Sequence, residues 1–322
     1  MTAGAPRVSA IAVVAALLLA GCWATSPSPS PTIGPTSSPS PSLAPSASPS
    51  PTIEPTPIPI PLDEALLASR YTVLVLGEDS SLARRSGGTT ITRTDTMMVV
   101  SVSADRSSVV ALSVPRDTVD IPLGNGRIYR GKINGIAYEL GLDAARNAMA
   151  ALLGIEIDAY LKIDMDDFAW MVDAVGGVDV EVAARLYDAR IGVDLQPGPA
   201  HLDGAHALAY VRTRSDSDYA RAARAQQVIV ELARRWVSPG TGSARIGLLT
   251  HLGSLQTDIE LRQLPTLVEI GRRSTDALVT AIVLEPPRYA HFVGIEPGTA
   301  RGWVMIPNIA EMRALARSLI GD

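Results

Sequence analysis

The chain is short of the residues on which most catalytic machinery relies. Its 322 residues include one cysteine, Cys22, and four histidines, His201, His206, His251 and His291. A lone cysteine excludes a disulfide framework within the chain and a cysteine-based metal site. The histidines fall in no HExxH or other paired spacing, and no GxSxG, P-loop or GxGxxG pattern occurs. A zinc enzyme, a serine hydrolase with a nucleophile elbow and a nucleotide-binding fold are therefore disfavoured. Aromatic residues make up only 4% and the formal net charge is −5. Without a general basic field or stacking platforms, nucleic acid is not an expected partner.

What is present begins with an export-like N-terminus. MTAGAPR carries one basic residue, VSAIAVVAALLLA is a 13-residue apolar run, and Gly21-Cys22 follow. The run is shorter than the ~20 residues that span a bilayer, so it reads as a signal peptide over 1–21. Leu19-Ala20-Gly21-Cys22 resembles the bacterial lipobox, which implies a lipid on Cys22, an anchor in the membrane and an extracytoplasmic location. Residues 23–62 are dominated by Pro, Ser and Thr and carry almost no charge, so they cannot bury enough apolar surface to fold. They read as a tether reaching on the order of 100 Å when extended at ~3.1 Å per residue.

From Asp63 to Asp322 the pattern is that of one folded domain. TVLVLG (72–77), TMMVVSVS (96–103) and SVVALSV (108–114) are short, β-branched and apolar nearly throughout, as suits central strands covered on both faces. Helices are predicted near 132–140, 143–154, 166–175, 203–212, 217–237, 244–254, 260–272 and 308–320. Further strands are predicted at 159–163, 178–182, 277–284 and 301–305, with a loop centred on QPGPAHLDG. Strands alternating with helices predict an α/β fold, an α-β-α sandwich around a central mixed sheet. The strands at 277–284 and 301–305 are expected to join that sheet.

Charged residues cluster at the predicted strand ends: Glu78-Asp79 after the first, Arg93-Thr94-Asp95 before the second, and Pro115-Arg116-Asp117-Thr118 after the third. Loops leaving strand ends converge on ligand crevices in open α/β sheets. Asp79 and Asp95 are either turn and cap residues or a pair able to hold a hard cation such as Mg²⁺ (or Mn²⁺) beside phosphate oxygens. A second cluster lies in YVRTRSDSDYARAARAQQ (210–227), where Asp216, Ser217 and Asp218 are candidate caps for a helix starting near 218. Arg221 and Arg224 then lie about 60° apart, and Val228, Leu232 and Trp236 fall in the same sector, so both arginines continue the apolar stripe. Cations are unfavourable at a helix N-terminus. Either a local salt-bridge network with Asp216 and Asp218 or a bound anion offsets that cost. Arginine forks match phosphate oxygens bidentately, and five or six of them suggest a pyrophosphate.

Taken in order, VLVLGEDS, TRTDTMMVVSV, SVPRDT, KINGIAYELG, VDAVGGVDVEV, LQPGPAHLDGAHALAYVRTR and DYARAARAQQ resemble the LytR–CpsA–Psr (LCP) family of bacterial cell-wall assembly, over about residues 72–237. The resemblance implies a hydrophobic pocket for a polyprenyl chain. It also implies a phosphotransferase that moves a glycopolymer from a polyprenyl-pyrophosphate carrier to peptidoglycan through a phosphodiester linkage. By motif, Asp79 and Asp95 match the magnesium-binding aspartates. Arg93, Arg116, Arg212, Arg214 and Arg221 match the pyrophosphate-contacting arginines, with Lys132 and Gln226 as further contacts. Arg93, Arg116, Asp95 and Asp117 are the implied catalytic residues, and the base is Asp95 or Asp117. The family usually carries Arg-Gln-Gln where this chain has Arg224-Ala225-Gln226. A hydrolase of the same carrier and a non-catalytic carrier-binding lipoprotein are the alternatives, and apolar helices such as 143–154 and 166–175 are candidates to line the pocket.

Overall fold

The computed structural model describes residues 61–88, 92–238, 241 and 255–321. The signal peptide, Cys22, nearly all of the tether and the helix expected over 244–254 lie outside the described residues. Among the described residues no helix is long and apolar enough to cross a membrane.

Six strands form the central sheet: Tyr71–Glu78 (β1), Thr94–Val102 (β2), Ser108–Ser113 (β3), Ala159–Ile163 (β4), Gln256–Thr257 (β5) and Leu278–Val283 (β6), in the order β5-β4-β1-β2-β3-β6. β2 runs antiparallel to β1 and β3, β4 is parallel to β1, β6 is parallel to β3, and β5 is antiparallel to β4. The sheet is mixed, as expected.

Side chains alternate across this sheet because successive strand residues point to opposite faces. Leu74, Leu76, Met97, Val99, Val110 and Leu112 pack on one face. There they meet helix Leu142–Leu153, whose Ala145, Ala148, Met149, Leu152 and Leu153 follow the i, i+3, i+4, i+7, i+8 stripe, and helix Ile309–Ile320. The first of these helices ends on Gly154 at φ +68°, a left-handed cap that glycine adopts without Cβ strain. The other face carries Val75, Met98 and Ala111 and lies under helix Asp218–Val237. Helices Met165–Ala174 and Gly204–Arg212 and the ribbon Val178–Val182/Gly198–Leu202 complete that layer through a core that includes Val172, Val180, Leu202, Tyr210 and Val228.

Two expectations are corrected. Within the stretch read as a loop, Gly198–Leu202 is a strand paired antiparallel with Val178–Val182. Pro199 is tolerated because a two-stranded ribbon has free edges. Trp303–Pro307 does not join the central sheet but pairs with Ala290–Ile295, a strand that the sequence reading missed. By contrast β6 does pair with β3, and helix Ile309–Ile320 contributes to the first core, so the C-terminal segment belongs to the same sandwich.

Candidate functional site

Because β2 is antiparallel to its neighbours, the C-terminal ends of β1 and β3 and the N-terminal end of β2 share one edge of the sheet. Asp79 follows β1, and its backbone N–H donates to the Arg93 carbonyl at 2.9 Å, which closes the intervening loop. Asp95, the second residue of β2, gathers the cations. Its Oδ2 accepts from Arg116 Nη1 at 2.7 Å and from Arg214 Nη2 at 2.7 Å, and its Oδ1 accepts from Asn134 Nδ2 at 3.2 Å. The Asp95 carbonyl accepts from Arg221 Nη2 at 3.0 Å. Burial pushes the Asp95 carboxyl up, but Arg116, the Asn134 hydrogen bond, Arg221 and Arg214 together hold it below the usual carboxylate range.

The helix phase read from the sequence holds. Ser217 caps the helix by accepting from Ala220 N–H at 3.0 Å, and Arg221, Arg224, Val228, Leu232 and Trp236 are all buried on one stripe. Arg221 faces the site: its Nε lies 3.2 Å from Asp218 Oδ1, and burial lowers its pKa despite the Asp218 and Asp95 charges. Arg224 works elsewhere. It donates to the carbonyls of Tyr210 at 2.8 Å and Thr213 at 2.7 Å and pairs with Asp216, fixing the turn that carries Arg212 and Arg214. The preceding helix is seated by Gly204, where a Cβ would fall 2.1 Å from the Ala169 carbonyl oxygen, so its close approach requires glycine. Asp218 ties the arginines together, 3.4 Å from Arg214 Nε and 3.6 Å from Arg116 Nη2.

These charges rim a cavity of about 790 Å³ between the second face of the sheet and the helices above it. Its walls are apolar, with Val75, Val100, Phe168, Ile229, Leu232 and Leu267 among them, and Asp79, Arg84, Asp95, Arg212, Arg214 and Arg221 stand at its polar part. A second chamber of about 230 Å³ lies beside it, lined by Arg116, Asp117, Tyr219 and Trp303. Asp95, Thr96 and Arg221 line both. The two chambers together are lined by six arginines (Arg84, Arg116, Arg190, Arg212, Arg214 and Arg221) and six carboxylates (Glu78, Asp79, Asp95, Asp117, Asp188 and Asp218), so the lining charges balance while the arginines gather around Asp79 and Asp95.

The structure thus brings together Asp79, Asp95, Arg116, Arg212, Arg214 and Arg221. Asp117 lines the small chamber, with Oδ1 bonded to Lys132 Nζ and Oδ2 at 3.5 Å from Arg116 Nε. Three expected contacts stand apart. The Arg93 side chain is exposed and lines neither chamber. Lys132 pairs with Asp117 and also lines neither. Gln226 is corrected outright: it is buried at 2% exposure and donates to the Ala111 and Ile282 carbonyls at 3.2 and 2.9 Å, bridging helix to sheet. Ala225, not Gln226, faces the large cavity. Of the two helices considered as pocket walls, Met165–Ala174 contributes Phe168 and Met171, whereas Leu142–Leu153 packs on the opposite face of the sheet. Arg84 was missed, although it pairs with Asp79 at 2.6 Å, as were Asn134 and the bridging role of Asp218. The signal for Arg84 was a cation five residues beyond Asp79, too weak to single out in a stretch read as a loop, where the structure has the one-turn helix Leu82–Ser86.

For a metal, the donors are two carboxylates. The described residues contain no group of three or more His, Cys, Asp or Glu that could hold an ion. Asp79 and Asp95 are hard oxygen donors that line the same cavity, of the kind a divalent cation takes, and each is paired with an arginine, Arg84 and Arg116 respectively.

The fold is thus an α/β sandwich with an apolar cavity whose polar end carries several arginines. The chain matches the LytR_cpsA_psr family over residues 55–286 and belongs to it. Among its relatives are the probable cell wall biosynthesis protein LcpB of Corynebacterium glutamicum, 36% identical over 167 residues (51% of this chain, 39% of that protein), and the polyisoprenyl-teichoic acid–peptidoglycan teichoic acid transferase TagU of Halalkalibacterium halodurans, 31% identical over 196 residues (59% and 62%). The matched segment therefore spans less than two thirds of either relative. Solved structures of similar fold include TagT bound to LIIa-WTA, 22% identical with TM-score 0.60 (79% of this chain, 91% of that one), and Bacillus subtilis TagV, 24% identical with TM-score 0.61 (78% and 96%).

Proposed function

We propose that this protein transfers a glycopolymer from a polyprenyl-pyrophosphate carrier to peptidoglycan, forming a phosphodiester linkage, at the outer face of the membrane to which a lipid on Cys22 anchors it. The observation that carries this reading is the joining of an apolar cavity of about 790 Å³ to a rim where Arg84 and Arg212 approach Asp79 and Arg116, Arg214 and Arg221 converge on Asp95. A lipid tail and a pyrophosphate head need those two environments side by side.

Phosphoryl transfer asks the protein mainly for positioning and charge stabilisation. The polyprenyl chain occupies the apolar cavity, and Arg212, Arg214 and Arg221 hold the pyrophosphate at its rim. Mg²⁺ held by Asp79 and Asp95 would supply further neutralisation of phosphate oxygens. The acceptor hydroxyl attacks the phosphorus that bears the glycan, the bond from that phosphorus to the bridging oxygen breaks, and polyprenyl phosphate leaves. Asp95, held ionised and below the usual carboxylate range by its arginines, is a weak base. Asp117 lies on the side of the small chamber and takes the proton in this scheme, while Arg116, 2.7 Å from Asp95, stabilises charge on the transferring group.

Purified protein given a labelled polyprenyl-pyrophosphate glycan, Mg²⁺ and peptidoglycan fragments tests the reading. Label joined to peptidoglycan is the expected outcome, lost when the metal is chelated. Free glycan phosphate as the sole product would instead make the protein a hydrolase, and donor binding without turnover would make it a carrier.

A further inference from the structure

We propose that the small chamber is the acceptor's subsite and holds a sugar ring stacked on Trp303, an inference that rests on the transferase reading above. Trp303 is 55% exposed, one of only four tryptophans in the chain, and it lines this chamber together with Tyr219. An exposed indole in the wall of a cleft of mixed polarity offers an apolar face to the C–H side of a pyranose. Asp117, Asp218 and Arg116 offer hydrogen-bonding partners to its hydroxyls. At about 230 Å³, roughly the share of seven or eight water molecules at ~30 Å³ each, the chamber has room for one ring and too little for a lipid chain.

The chamber also stands where an acceptor must. It is separated from the lipid-sized cavity by Asp95, Thr96 and Arg221, which line both, so a phosphorus held there has the leaving group on one side and the chamber on the other. In-line displacement requires that arrangement. The wall is tied to the reacting loop: Met305 N–H donates to the Asp117 carbonyl at 2.9 Å, and Val119 N–H donates to the Met305 carbonyl at 3.0 Å. The strand that carries Trp303 is thereby anchored beside Arg116 and Asp117 at Met305, which is itself 1% exposed. Trp303 and Met305 also lie beyond residue 286, where the family match ends, so this wall belongs to a part of the chain that the family pattern does not cover.

The probe is the N-acetylglucosaminyl–N-acetylmuramyl disaccharide, the repeating unit of peptidoglycan. In calorimetric titration of the full chain, Trp303→Ala is expected to weaken its binding about tenfold, the scale of one lost aromatic contact, and Trp303→Phe to restore most of it. In the transfer assay Trp303→Ala raises KM for the acceptor by a similar factor, while affinity for the polyprenyl-pyrophosphate donor stays at the wild-type value. Equal disaccharide affinity in wild type and Trp303→Ala overturns the proposal. So does a Trp303→Ala defect confined to donor binding, which would give the chamber to the donor's own glycan. Trp303-dependent disaccharide binding with no transfer in the wild type would keep the sugar site and defeat the transferase reading instead.

Discussion

Val73 and Val75 of β1 point to one face of the central sheet and Leu74 and Leu76 to the other, yet the two faces are filled to different degrees. On the leucine face, Leu112, Ala148, Leu152 and Met312 are all fully buried in a continuous core. On the valine face, the helix Asp218–Val237 packs on β2, β3 and β6, but about 790 Å³ stays open beside it, with Val75, Val100 and Ile229 among the walls. Protein interiors otherwise pack at a density near 0.74, so a gap of this size marks a place built to be filled by something else. The first face holds the fold, and the second, with its rim, is the face to which the proposed transfer assigns the lipid and the pyrophosphate.

The comparison breaks most severely if the rim is dispensable. Arg116→Ala and Asp95→Ala are each expected to lower transfer on the order of 10³-fold, the scale of a lost transition-state cation or its orienting partner. Circular dichroism should stay native. Near-normal transfer in either variant sinks the assignment of the rim.

The next largest effect separates the faces by stability. Leu152→Ala removes a fully buried side chain from the closed face and should cost roughly 2–5 kcal/mol in urea unfolding. Ile229→Ala trims a wall that already borders open space, creates less new void, and should cost roughly 1 kcal/mol or less while weakening donor binding. Similar losses for both would mean that the two faces are packed alike.

Much of this division was legible in the sequence. Runs such as TVLVLG and SVVALSV are apolar on both faces, which placed the three central strands, and antiparallel order then put Asp79, Asp95 and Arg116 at one edge. The inward turn of Arg221 followed from helical phase. The same phase argues against Gln226 as a rim residue, because it lies about 140° around the helix from Arg221. Motif position had placed it at the head group, but its amide points to the sheet. What could not be read was long-range pairing: nothing local in WVMIP says that it pairs with Ala290–Ile295 and carries Trp303 to the rim. Arg84 was equally opaque, since the helix Leu82–Ser86 that carries it is a single turn, too short to show a periodicity that would fix its direction.

Gln226 sharpens the comparison further, because it sits on the valine side yet serves the fold. Gln226→Leu removes the donors to the Ala111 and Ile282 carbonyls and should cost roughly 1–3 kcal/mol, with kcat/KM for transfer within about twofold of wild type. A large loss of donor affinity in a stably folded variant would return Gln226 to the head group.

The smallest effect concerns how the cavity's outer wall responds to acid. Glu269 lies on helix Leu264–Arg273, whose Leu264, Leu267 and Ile270 line the cavity. Hydrogen bonds from Arg272, at 2.8 Å, and from Arg273, at 2.7 Å, pull its carboxyl from 4.5 down to about 2 despite partial burial. A carboxyl depressed in the folded state adds stability that is complete above its unfolded pKa and lost as pH falls through the folded one. The window therefore runs from about pH 4.5 down to about pH 2. Both arginines are largely exposed, so solvent screening limits the contribution to about 1 kcal/mol or less. Glu269→Gln should lower Tm slightly at neutral pH, flatten the fall in Tm across that window, and converge with wild type at its acid end. An unchanged acid slope would move the lability from the wall to the rim, where Asp95 is the carboxylate held low by Arg116, Asn134, Arg221 and Arg214.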